Sequence, residues 1–426
     1  MRRLSTGDAQ QIIRHEGCTV PDGPPKIGLE LEWLTWASDD PRRRVTPAEI
    51  DSALDRTRPL PHGGRVTVEP GGQVELSSPP QPSLEEALGT TAADAVILRA
   101  ALAASGIRTE SRGLDSFRPP RRVLREPRYE AMERYFDAAG PAGRTMMCAT
   151  ASLQLNIDVA CDPDATWQLA HDIGPVLGAA FANSAGPGCR SQRLRTWAAI
   201  DPGRTAPVGG SASGPAWAEY ALAAPVMLFR PGPADEATRA VDAPLSMARW
   251  LAAGHRGLWP TEDDVAYHLT TLFPPVRPRG WLELRMIDAL PDPWWQVATA
   301  VAVALLHDAD ARAAAAHACV GTAGRWEQAA THGLADPALA AAAERCFEAA
   351  LEALPRLVGG GPHASGLVDV QAACVSYYDT YVSRGRSPAD DDEGVEGVEG
   401  VEGPAELRAT AGAGRQAGTV GMPAWA

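Results

Sequence analysis

Residues 27–36 read IGLELEWLTW. Apolar residues alternate with Gly28, Glu30 and Glu32, the two-residue period of a strand with unlike faces. Ile27, Leu29, Leu31 and Trp33 form one face. Two glutamates on the other side of an otherwise apolar strand need an explanation.

The same pattern recurs at three further places. In GQVELS (72–77), Val74 and Leu76 oppose Gln73, Glu75 and Ser77. In SLQLNIDV (152–159), Leu153, Leu155, Ile157 and Val159 oppose Gln154, Asn156 and Asp158. In WLELRMID (281–288), Leu282, Leu284, Met286 and Asp288 oppose Trp281, Glu283, Arg285 and Ile287. One such strand is simply half-exposed. Four of them predict a sheet with one face for helix packing and one polar face lining a cavity.

Gathered carboxylates repel one another and resist desolvation. Bound divalent cations relieve both. The candidate metal ligands are Glu30, Glu32, Glu69, Glu75 and Glu283, with the Gln154 amide oxygen as a sixth. An all-oxygen set suits Mg2+ or Mn2+ better than zinc. Metal-held oxygens beside arginines suit phosphoryl transfer; a two-metal hydrolase fits the pattern as well. The histidines are dispersed, and His268 in VAYHLTTLFP stands out among them.

Composition bounds the rest. The 426 residues carry a formal charge of -14, much of it in the stretch DDDEGVEGVEGVEG (390–403). The body is only mildly acidic and gives no electrostatic support for nucleic-acid binding. No membrane span, apolar leader or obligate protein partner is evident, so a cytoplasmic location is expected. The seven cysteines include no CxxC pair, which argues against a disulfide scaffold or zinc ribbon. Lys26 is the only lysine, so no P-loop exists. Any nucleotide must be held by arginines and metal ions.

Between the four strands the chain reads as helix at 5–16, 84–104 (capped by Ser83), 128–138, 164–183, 292–308, 311–330 and 337–354. Further strands are expected at 65–69, 106–110 and 265–273. We expect one α+β domain over residues 1–385, with a split near 185 as the alternative. Residues 386–426 then form an acidic Gly-Val-Glu tail that cannot bury a core.

Seven landmarks follow one another in order: IGLELEW (27–33), TVEPGGQVELSSPP (67–80), PRYEAMERYF (127–136), TASLQLNIDV (150–159), FANS (181–184), SQRLRTWAAIDPGRT (191–205) and HLTTLFPPVRPRGWLELRMIDALPDPW (268–294). Together they resemble glutamate–cysteine ligases of the plant and proteobacterial type, most closely the actinobacterial ergothioneine-pathway branch. The resemblance implies a glutamine-synthetase-like catalytic fold: a curved, mainly antiparallel sheet shaped as a funnel, with helices packed outside. It implies ATP, Mg2+, L-glutamate and L-cysteine as reactants, and γ-glutamyl phosphate as intermediate. It carries Glu30, Glu32, Glu75, Gln154 and Glu283 over as metal ligands, with Glu69 as a further one. Arg285, Glu283 and Glu75 become catalytic residues. Asn156, Arg285 and His268 become nucleotide contacts, and Arg193, Arg195, Arg204 and Tyr220 substrate contacts. A related ligase using another amine acceptor fits the same motifs.

Overall fold

The computed structural model describes residues 3–391, apart from 19–22, 56, 160–161, 230–237, 242–243 and 359–368. Among the described residues nine strands are present: β1 (Ile27–Ala37), β2 (Arg65–Val68), β3 (Val74–Ser77), β4 (Ile107–Glu110), β5 (Ser152–Ile157), β6 (Leu228–Phe229), β7 (Arg239–Ala240), β8 (Val276–Pro278) and β9 (Leu282–Asp288). β6 and β7 pair only with each other; the other strands form a seven-stranded sheet in the order β2-β3-β1-β5-β9-β8. The long strand β1 serves three partners: Glu30–Trp33 pair with β3, Ile27–Leu31 with β5 and Leu34–Ala37 with β4.

The α+β class and the antiparallel pairing stand, but the expected curved funnel does not. The sheet is open. β2 and β8 are the ends of that order, and among the described residues no ladder joins them. The edge strands hold four and three residues, too short to wrap the sheet on itself.

The apolar face follows the alternation. Leu29, Leu155, Leu284, Val74 and Leu76 are completely buried, and Ile27, Leu31, Trp33 and Ile157 nearly so. The helix Pro163–Ala180 packs on β9, Trp294–His307 on β5, and Leu84–Ala104 on β4 and β1. Ser83 caps that last helix, its hydroxyl accepting from the Glu86 N–H. By length and composition this helix alone among the described residues is long and apolar enough to cross a membrane. One core cluster joins residues from Ala9 to Val382.

Two local expectations change. Residues 265–273 are not a strand: Glu262–Leu269 is a helix, opened by a capping box between Thr261 and Asp264. The strand before which Ala142–Ala149 forms a helix runs from Ser152 to Ile157, two residues short of the expected 159.

The alternation also fails within β9. Leu155 pairs with Leu284, yet Leu153 pairs with Ile287, so β9 carries one extra residue opposite Gln154. Such a bulge shifts every later side chain by one position. Ile287 therefore joins the core, and Asp288 stands opposite Ser152 rather than continuing the apolar row. The acidic repeat beyond Asp391 and Cys161 lie outside the described residues. The first residues assigned to the tail are packed: Ser387 and Ala389 are buried, and Asp390 pairs with Arg190 at 2.9 Å.

Candidate active site

Register places the polar side chains side by side. Glu32 stands opposite Glu75 across β1 and β3. Glu30 stands opposite Gln154, and Asn156 opposite Glu283. Glu69 enters from the turn between β2 and β3, where its N–H donates to the Gln73 carbonyl at 2.8 Å. Gly71 permits that turn. A Cβ there would lie 2.1 Å from the Cys148 carbonyl oxygen.

Four of the five carboxylates are held by their own donors. Glu32 accepts from the Ser152 N–H (2.8 Å) and Gln154 Nε2 (3.0 Å). Glu30 accepts from Asn156 Nδ2 (2.9 Å), whose Oδ1 accepts from Trp281 Nε1 (2.7 Å). Glu75 accepts from the Thr67 and Ser77 hydroxyls (3.0 and 2.8 Å). Glu283 is gripped through both oxygens by Arg277 and lies 3.0 Å from Arg285 Nη1. Arg285 also donates to Gln154 Oε1. The Glu69 carboxylate accepts no hydrogen bond among the described residues.

The electrostatics divide these acids into two groups. Burial, followed by the charges of Glu283 and Glu75, pushes Glu30 up to about 7. Burial also raises Glu32, Glu75 and Glu69, and Glu69 is raised well above the usual range with the help of Glu75 and Glu32. Glu283 goes the other way. Burial alone would lift it, but Arg277 and Arg285 outweigh that and hold it at about 2.

Does this face fit divalent cations? The donors are oxygen, the charge is negative, and four of the five acids lack enough local cation to ionise freely. In donor chemistry and charge they fit magnesium or manganese. Among the described residues no three acids, histidines or cysteines yet close around one point. They line the face as neighbours.

Beside the acids lies a cationic corner. Arg193, in the helix Gln192–Ala198, is 2 % exposed, and its Nη2 donates to the Arg285 carbonyl at 2.9 Å. The guanidiniums of Arg193 and Arg285 stand 5.7 and 5.3 Å from the Trp197 ring. Arg193 Nε and Nη1, Arg285 Nε and Trp197 Nε1 are all buried without a hydrogen-bond partner. Unpaired buried N–H groups are costly. Several in one corner form a receiver for an anion.

The remaining expected residues stand elsewhere. Arg195 is exposed. Arg204 is fully buried and spends its guanidinium on the carbonyls of Thr271 and Pro225 (2.7 Å each), Tyr135 Oη and Asp201. Tyr220 stacks on Trp217 at 5.7 Å. His268 Nε2 is 2.9 Å from the Ala221 carbonyl, and burial drives this histidine down to about 4. Among the described residues none of Arg204, Tyr220 and His268 is hydrogen-bonded or ion-paired to a sheet glutamate.

Sequence reasoning missed Arg277, Trp197 and Asp288. Arg277 sits opposite Glu283 on β8, and the hairpin RPRG preceding WLELR was the available signal. Trp197 follows Arg193 by four positions, the spacing of neighbours on a helix. Asp288 was hidden by the bulge.

A sequence model of the family described as glutamate-cysteine ligase family 2 matches residues 26–395. A protein from Mycobacterium tuberculosis named glutamate–cysteine ligase EgtA is 41% identical over 397 residues, covering 88% of this chain and 87% of that protein. Its namesake from Mycolicibacterium smegmatis is 42% identical over 364 residues, covering 82% and 85%. A crystal structure of a bifunctional glutathione synthetase from Pasteurella multocida superposes with a TM-score of 0.51 at 15% identity. The match covers 94% of this chain and 53% of that one. At that identity the likeness concerns the fold alone.

Proposed function

Because this chain belongs to the glutamate-cysteine ligase family 2, we infer that it joins the γ-carboxylate of L-glutamate to the amine of L-cysteine with conversion of ATP to ADP and phosphate. A carboxylate is a poor acceptor for an amine. Attack of the glutamate γ-carboxylate oxygen on the γ-phosphorus of ATP releases ADP and yields γ-glutamyl phosphate. The cysteine nitrogen then attacks the acyl carbon, phosphate leaves, and the amine proton is lost. Exclusion of water protects the acyl phosphate.

The observation that carries our assignment of roles is the group of unpartnered buried N–H donors on Arg193, Arg285 and Trp197, next to a wall of glutamates. Arg193 receives the α-carboxylate of glutamate, for which a guanidinium fork is well shaped. Arg285 neutralises charge that builds on the transferring phosphoryl group and the attacking carboxylate. Glu30, Glu32, Glu69, Glu75 and Glu283, with Gln154, would hold the magnesium ions. Bound there, magnesium screens the triphosphate from the glutamate anion. Asn156 fixes Glu30 and Trp281 and would contact the nucleotide. Arg195, Arg204 and Tyr220, expected as substrate contacts, and His268, expected as a nucleotide contact, carry no role in this reading. We read residues 1–385 as one catalytic domain, with its product entering ergothioneine synthesis.

The test is direct. Full-length protein with ATP, magnesium and L-glutamate should release ADP in step with γ-glutamylcysteine once L-cysteine is added, and other amines should substitute poorly. ADP release that ignores cysteine, with no peptide formed, would refute the reading.

A further inference from the structure

Asp288 ends β9 and is 1 % exposed. Its carboxylate accepts from the Asn183 N–H (2.8 Å), the Ser184 hydroxyl (2.7 Å) and the Ser191 hydroxyl (3.1 Å). It lies 3.9 Å from Arg193 Nη1. Both serines are tied to the same arginine. The Ser191 Oγ caps the helix Gln192–Ala198 by accepting from the Leu194 N–H (3.1 Å), and the Ser184 Oγ accepts from the Arg193 N–H (3.1 Å). One carboxylate thus fixes where the helix starts and also faces the guanidinium that the helix carries.

The charge is the informative part. The Asn183 N–H and the Ser184 hydroxyl share Oδ2, and an amide oxygen would satisfy those two as well, whereas the Ser191 hydroxyl and the guanidinium meet the other oxygen. Burying an ion costs far more than burying an amide unless an opposite charge repays it. The side chains of Asp288 and Arg193 are 1 % and 2 % exposed, so each is the other's buried counter-ion. On its other side Arg193 is held by the Arg285 carbonyl. These restraints leave Nε and Nη1 with no hydrogen bond of their own.

We propose that Asp288 is a positioning residue for substrate recognition: through Ser184, Ser191 and the guanidinium itself, it holds Arg193 aimed at the glutamate α-carboxylate. This rests on the role given to Arg193 above. Asp288 touches neither substrate nor the reacting atoms. Its loss therefore acts on glutamate affinity before it acts on turnover.

The experiment compares the full-length wild type with Asp288→Asn, which keeps an oxygen for the Ser184 hydroxyl and the Asn183 N–H and removes the charge. The KM for glutamate should rise roughly ten- to a hundredfold, the range for a hydrogen-bonded charge. The KM for ATP should change little, while the melting temperature should fall because Arg193 loses its buried counter-ion. The same substitution in an Arg193→Lys background should raise the KM by clearly less, because the partner it acts through is already altered. An unchanged KM for glutamate, or effects that simply multiply in the double variant, would overturn the proposal. If Asp288→Asn does not fold, Ser184→Ala removes one arm of the same node. It should raise the KM for glutamate in the same direction by a smaller factor, and an unaltered KM there refutes the proposal equally. A wild-type protein with no cysteine-dependent turnover would strike the functional reading instead.

Discussion

Glu32 and Glu75 occupy directly paired positions on β1 and β3. Like charges at such a pair are unfavourable, and the Glu32 charge is the second-largest influence raising Glu75, after burial. Serine and threonine hydroxyls around Glu75 soften this without removing it. A fold that keeps such a pair half-buried invites a cation between its members.

That repulsion has a measurable pH signature. Glu30 is raised to about 7 in the folded protein. A carboxyl with a raised folded value binds its proton more tightly folded than unfolded. Its stabilising effect is complete below the ordinary carboxylate range and is lost as pH rises through about 7. Without divalent ions, melting temperature should fall between about pH 5 and about pH 8 through this group. Magnesium should restore it most at the upper end, by about 3 kcal/mol at a hundredfold excess over Kd. Calorimetric melts with and without magnesium check this. Equal magnesium effects at both pH values would contradict it.

Removing single carboxylate charges should stop chemistry while sparing the fold. Glu75→Gln keeps its acceptor for Thr67 and Ser77, so its melting temperature should stay near the wild type. Its kcat should fall by roughly a hundredfold or more, in the range lost when one charge-stabilising group is removed. A steady-state ADP assay beside a melt separates the two effects. Near-normal turnover would remove Glu75 from the site.

Arg277 should behave in the opposite way. Its guanidinium meets both oxygens of the buried Glu283. Arg277→Met leaves Glu283 with Arg285 as its nearest cation. Breaking one side of a buried pair costs about 3–5 kcal/mol, which chemical denaturation would detect. A loss below about 1 kcal/mol would place the pair among weak ones.

His268 sets an acid limit. Burial lowers it to about 4, so the unfolded chain takes up its proton first as pH falls. Its contribution is constant at neutral pH and is lost between about pH 6.5 and pH 4, in total about 3 kcal/mol. His268→Gln should flatten the fall of stability over that window, as followed by denaturant midpoints.

Much of this was legible in the amino-acid order, for an identifiable reason. Alternation in the four strands is a local property, and Leu29, Leu155 and Leu284 bury as it requires. What alternation cannot carry is anything set by one extra residue or by partners distant in sequence. Met286 and Ile287 are both apolar, so the bulge between them and Leu284 leaves no mark in the pattern, and Asp288 was assigned to the wrong row. The run VAYHLTTLF contains strand-favouring residues, but the Thr261–Asp264 capping box and acidic first turn start a helix first. The funnel came from resemblance rather than from these residues, and the short edge strands leave the sheet open.

The most direct measurement is manganese uptake, followed by electron paramagnetic resonance in the presence of ATP, by wild type and by a Glu32→Gln/Glu75→Gln double variant. The wild type should bind manganese saturably, and the double variant at least about tenfold more weakly while remaining folded, since each lost charge weakens the site. Equal manganese uptake by the two proteins would contradict the assignment of this sheet face as the metal and phosphate site.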